Sequence, residues 1–104
     1  MNLLFMIIKE AISIIEMLSV LYGAQNDRII VERDKFKEAL EKFPYASFAQ
    51  KVKVYKAINL LIHDKGNYTL PYKDKELKKT VRKVIINHMT FQVIKEMHNI
   101  AIEK

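Results

Sequence analysis

Apolar side chains recur at helical spacing from the first residues onward. Leu4, Ile7, Ile8, Ala11, Ile12, Ile15 and Leu18 form one stripe, and Leu3, Met6, Ile14, Met17 and Leu21 form a second. Apolar positions at i, i+3, i+4 and i+7 predict an amphipathic helix over residues 3–22. Lys9, Ser13 and Glu16 leave it only a narrow polar face. Two apolar stripes need two covering surfaces, which are here expected to be the domain's own core and a partner subunit. Gly23 follows as a C-cap, and residues 23–27 read as a loop. Arg28-Ile29-Ile30-Val31 is short and β-branched and predicts a strand. Phe36, Ala39, Leu40 and Phe43 return to helical spacing, which predicts a short helix from Arg33 to about Lys42.

A third helix is expected from Phe48 to Lys65. Ser47 and Gln50 have the spacing of a capping box. Pro44 disfavours helix at Phe43, and Gly66 stands where a left-handed C-cap would end it. On a helical projection Phe48, Val52, Val54, Tyr55, Ile58, Leu61 and Ile62 face the core. Ala49, Lys53, Lys56, Ala57 and Leu60 lie opposite, with Gln50 at the edge. Asn67–Leu70 reads as a short extended tongue, restricted by Pro71 to a sheet edge. Its length suits a single strand pairing with Ile29–Val31 better than a full hairpin. Asp74 then reads as the N-cap of a last helix running from Lys75 to Ile102, basic at its start and apolar nearly all round in its second half. The fold class expected is mainly α with a small β element, in one domain spanning 1–104.

Charge changes the picture. Between Lys51 and Lys83 there are ten Lys/Arg against three Asp/Glu, whereas the remaining residues carry eight against nine. The formal net charge of +6 is therefore local, and local basic charge points to a phosphate-rich partner. The chain has no Cys, which excludes disulfides and thiolate zinc sites and agrees with a cytoplasmic location. Lys9, Glu10 and Glu16 interrupt the apolar N-terminus well short of the roughly 18 residues a membrane span needs, so no membrane partner is expected.

The order helix, short strand, short helix, turn, long helix, glycine, extended tongue, long helix resembles the winged helix-turn-helix superfamily over residues 5–102. In that likeness Arg28–Val31 corresponds to the first strand, Arg33–Lys42 to the supporting helix, Ser47–Lys65 to the recognition helix and Lys65–Tyr72 to the wing. Phe36, Leu40, Ile58, Leu61 and Ile62 occupy core positions. The plan is similar to that of small dimeric transcription repressors, and to that of centromere-binding adaptors of tubulin-like plasmid partition systems. No residue signature separates the two. The resemblance implies a dimer through the N- and C-terminal helices that binds double-stranded DNA, with room for a further protein partner.

The expected DNA-binding residues fall in two groups. Ser47, Gln50, Lys53 and Lys56 lie at or in the major groove, where Gln can bond adenine and Lys can donate to guanine. Lys65, Lys73, Lys75, Lys78, Lys79 and Arg82 clamp backbone phosphates. The competing reading is a helical protein-interaction module, antitoxin-like or anchoring, whose basic patch meets an acidic partner. An enzyme is not expected. There is no glycine-rich phosphate loop, and the acidic residues Glu32, Asp34, Glu38 and Glu41 each have a basic neighbour. His63, His88 and His98 are too far apart in sequence for a metal motif, and no cofactor is implied. His63 reads as an interaction with a helix end, and His88 and His98 as interface residues.

Overall fold

The computed structural model describes residues 2–43 and 45–103; Pro44, and with it the middle of the expected 43–46 turn, lies outside them. The described residues form a compact α/β domain of four helices and a small antiparallel sheet. In order these are α1 (Leu3–Tyr22), β1 (Arg28–Glu32), α2 (Arg33–Glu41), α3 (Phe48–Ala57), β2 (Leu61–Ile62), β3 (Leu70–Asp74), β4 (Lys79–Asn87) and α4 (His88–Glu103).

The first half follows its local signals. Asn2 caps α1 by accepting from the Leu4 N–H at 2.8 Å. Gly23 ends it at φ 73°, ψ 154°, a backbone region open essentially to glycine alone. From α1, Ile7, Ala11, Ile14, Ile15 and Leu18 are buried against Ile29, Val31, Phe36 and Leu40. Each of the Ile, Leu, Val and Phe side chains among them contributes about 1.5–3 kcal/mol by leaving water.

β4 is the middle of the sheet. Ile86 pairs with Ile29 of β1 on one side and Leu61 of β2 on the other. Lys83 pairs with Glu32 of β1 and Leu70 of β3. Alternation along the strands then sorts the side chains. Ile29, Val31, Leu61, Val84 and Ile86 share the face that packs on the helices and are fully buried. Ile30, Ile62 and Ile85 share the other.

The second half departs from expectation in two places. The helix expected over Phe48–Lys65 stops at Ala57. Ile58 is its C-cap, and Asn59 takes a left-handed conformation with φ 64°. Asn59 donates its N–H to the Lys56 carbonyl at 3.1 Å, and Leu60 donates to the Tyr55 carbonyl at 2.9 Å. These two bonds form a Schellman stop with Asn in the role usually taken by Gly. The chain leaves the helix into β2, so Leu60 is buried rather than on the exposed face. Gly66, at φ 86°, instead turns the chain between Asp64 and Asn67, where the Asn67 N–H meets the Asp64 carbonyl at 3.2 Å.

The helix expected from Lys75 begins only at His88. Lys79–Asn87 is a strand, because its β-branched residues Val81, Val84, Ile85 and Ile86 are paired into the sheet. Of the expected Asn67–Leu70 tongue only Leu70 is strand: β3 runs on to Asp74 as one arm of a full hairpin with β4, and it is β4, not the tongue, that pairs with Ile29–Val31. Asp74 caps the hairpin turn instead of a helix. Its Oδ1 accepts from the N–H groups of Glu76 at 2.9 Å and Leu77 at 3.0 Å. Lys78 closes the turn in the left-handed region at φ 54°. None of the described helices is long and apolar enough to cross a membrane.

Candidate nucleic-acid interface

Helix α3 begins at the capping box read from its sequence. Ser47 Oγ accepts from the Gln50 N–H at 3.1 Å, and Gln50 Oε1 accepts from the Ser47 N–H at 3.0 Å. Both side chains are exposed. Gln50 keeps its amide NH2 group and one lone pair of Oε1 for a further partner. Ala49, Lys53 and Ala57 share the exposed side, and Lys56 is half-buried. This face therefore presents small residues between long polar ones.

The hairpin gathers the second group. Lys73 faces Thr80, and Asp74 faces Lys79 across the ribbon, so the alternation of the strands puts Lys73 and Lys79 on opposite faces. Lys75 and Lys78 lie in the turn between them, with Leu77, an exposed apolar side chain, at its tip. Lys65 sits in the turn before β3 and is exposed. Lys83 lies over the Tyr72 ring at 5.8 Å.

Arg82 is the exception in this group. Its Nε donates to Thr69 Oγ1 at 2.8 Å, and one Nη donates to the Thr69 carbonyl at 2.7 Å and to Asp64 Oδ2 at 3.1 Å. This side chain, expected on phosphate, fastens the base of the hairpin to the loop before it.

The two groups meet at an aromatic cluster. Phe48 at the start of α3 and Tyr68 at the base of the hairpin approach edge to face with centroids 5.4 Å apart. Both also pack on the buried Phe36 ring of α2, each at 6.2 Å. The N-terminal end of α3 and the root of the hairpin are thus anchored to one another.

Lys51 lies in the basic stretch yet is only 1% exposed. Its Nζ donates to the Leu40 carbonyl at 2.7 Å and to the Phe43 carbonyl, at the end of α2. Glu10 Oε2 of α1 is 3.4 Å away, and Glu10 is itself 8% exposed. Among the described residues neither Glu10 carboxylate oxygen receives a properly formed hydrogen bond, and the Tyr55 hydroxyl has no partner. Burial pushes the Tyr55 phenol well above its ordinary range, and the Glu10 charge adds to the rise. The spacing held this information. Phe48, Lys51, Val52 and Tyr55 follow i, i+3, i+4, i+7, as do Ile7, Glu10, Ala11 and Ile14. Each charged residue thus sits inside a buried arc.

One histidine is placed differently from expectation. His63 follows β2 instead of ending a helix, and its Nδ1 lies 3.0 Å from the Asp64 carbonyl. His88 opens α4 and donates its N–H to the Asp27 carbonyl at 2.9 Å. His98 lies beside Phe5, with ring centroids 5.9 Å apart. Among the described residues no three His, Asp or Glu side chains gather closely enough to hold a metal ion.

No protein-family model and no curated protein matches this sequence.

Proposed function

We propose that this protein is a winged helix-turn-helix DNA-binding protein that binds double-stranded DNA as a dimer, as a transcription repressor or a plasmid centromere-binding adaptor. The observation that carries the reading is the basic hairpin rooted at the start of α3. The element order α1–β1–α2–α3–β2–β3–β4 supports it, with α3 in the place of a recognition helix and the β3–β4 hairpin in the place of a wing. Lys73, Lys75, Lys78 and Lys79 on the hairpin hold the phosphate backbone. Gln50 and Lys53, near the N-terminal end of α3, enter the major groove, about 12 Å wide, and meet base edges.

The exposed face of the last helix supports the dimer reading. Met89, Val93, Met97 and Ile100 of α4 are all exposed and recur at helical spacing along one side. A continuous apolar stripe of this kind marks a protein interface, and a two-fold pair is the commonest way to cover one.

Binding to random duplex DNA across a salt titration tests the reading. Several lysine–phosphate contacts make affinity fall steeply as salt rises. Binding-site selection with wild type, Gln50→Ala and Lys53→Ala then tests base reading. Each variant is expected to bind DNA but lose preference at one or two positions of each half-site. Identical sites for all three would remove α3 from base recognition. Absence of duplex binding would favour the interaction module with an acidic partner.

A further inference from the structure

We propose that Lys51 and Glu10 are positioning residues for base recognition: their buried ion pair fixes the angle at which α3 presents Gln50 and Lys53. The inference rests on the DNA-binding reading above.

The ammonium of Lys51 has three donors, and three different elements supply its surroundings. Two carbonyls come from the end of α2 and the turn after it, through Leu40 and Phe43. The carboxylate comes from α1, through Glu10 at 3.4 Å. Lys51 itself is in the first turns of α3, one residue after Gln50 and two before Lys53. One buried cation therefore joins the three helices whose mutual angles decide where the exposed face of α3 points.

Stability does not account for the arrangement. Removing two charges from water costs more than their attraction commonly returns, and a well-packed apolar pair of similar volume is often as stable or more so. Here the pair is also incompletely satisfied: Glu10 Oε1 and the neighbouring Tyr55 hydroxyl are buried without partners among the described residues. An apolar pair, however, can slide, whereas an ammonium hydrogen-bonded to two carbonyls and ion-paired with a carboxylate restricts the geometry. Gln50 and Lys53 must reach base edges within hydrogen-bonding tolerance, so a small rotation of α3 costs discrimination. The hairpin lysines hold phosphates through flexible stems and are insensitive to the same rotation.

The decisive variant is the double substitution Glu10→Leu with Lys51→Met, which removes both charges at similar volume. It is expected to keep the helical circular dichroism of wild type, with a thermal midpoint lowered because the Leu40 and Phe43 carbonyls lose the ammonium. Binding to random duplex should stay within about twofold with an unchanged salt slope, while preference for the selected site falls by about tenfold or more. Glu10→Gln, which keeps the size and both carbonyl contacts, should show a smaller loss and covers the case in which the double variant does not fold. A second readout needs no DNA. The chain has no Cys, so spin labels at Ser13→Cys on α1 and Ala57→Cys on α3, diluted with unlabelled protein, report the interhelix distance. Wild type should give a narrow distribution, broadened or shifted in either charge variant. A variant with wild-type selectivity and a wild-type distance distribution overturns the proposal. If wild type binds no duplex at all, the DNA reading fails, and the distance measurement alone then decides whether the ion pair positions α3.

Discussion

Arg82 and Thr69 are bound to each other twice, through Nε to the hydroxyl at 2.8 Å and through Nη to the carbonyl at 2.7 Å. Thr69 is only 3% exposed, so its oxygens have little access to water if the guanidinium is removed. Arg82→Ala should therefore destabilise the fold by about 1–3 kcal/mol, the cost of buried acceptors left unpaired. The half-exposed contact to Asp64 adds little, since solvent screens it. Urea denaturation measures the loss. The salt slope of DNA binding should fall less than for a hairpin lysine.

The hairpin lysines should behave otherwise. Lys73→Ala, Lys75→Ala, Lys78→Ala and Lys79→Ala remove exposed side chains and should leave stability within about 0.5 kcal/mol. Each should weaken binding to all duplexes alike and lower the slope of log K against log salt by about one. A variant that changes sequence preference at constant slope would contradict the phosphate assignment.

The Schellman stop at Asn59 makes a backbone prediction. Asn59→Gly should be neutral or slightly stabilising, because glycine enters the left-handed region freely. Asn59→Val should cost at least about 1–2 kcal/mol, because a β-branched residue is strained there. Chemical denaturation of the two variants checks the sign of each.

Tyr55 sets an alkaline limit. A phenol whose pKa is raised in the folded state, here first by burial and then by Glu10, must remain protonated for the fold to keep its full stability. Its contribution is intact below the ordinary tyrosine value of about 10 and is lost as pH rises above it. Tyr55→Phe removes a hydroxyl that has no partner among the described residues. It should be neutral or mildly stabilising at pH 7 and should lose less stability than wild type above pH ~10. Denaturant midpoints across that range test it.

The dimer is best tested on α4. Ile14 is 1% exposed and belongs to the core, so Ile14→Asp would unfold the protein instead of separating subunits. Val93→Asp and Met97→Glu replace exposed apolar residues. They should convert a dimer to a folded monomer in sedimentation at micromolar concentration. Wild type sedimenting as a monomer would remove the dimer from the proposal.

The sequence by itself determined what local chemistry controls. The period of the apolar stripe placed α1 at residues 3–22, the glycine after it ended the helix, the β-branched run gave β1, and Ser47 with Gln50 gave the start of α3. These signals lie within a few residues of one another and need no distant partner. Tertiary structure decided the rest. Val84-Ile85-Ile86 fits a buried helix as well as a buried strand, and only pairing with Ile29–Val31 on one side and with β2 and β3 on the other makes it a strand. That pairing moved Lys75, Lys78 and Lys79 from a helix to a hairpin. Likewise Lys51 has the spacing of the buried face and the charge of the exposed one. The choice rests with Glu10, 41 positions away in sequence, and with two carbonyls at the end of α2. A burial decided by contacts across the fold becomes visible only once α1, α2 and α3 are packed together.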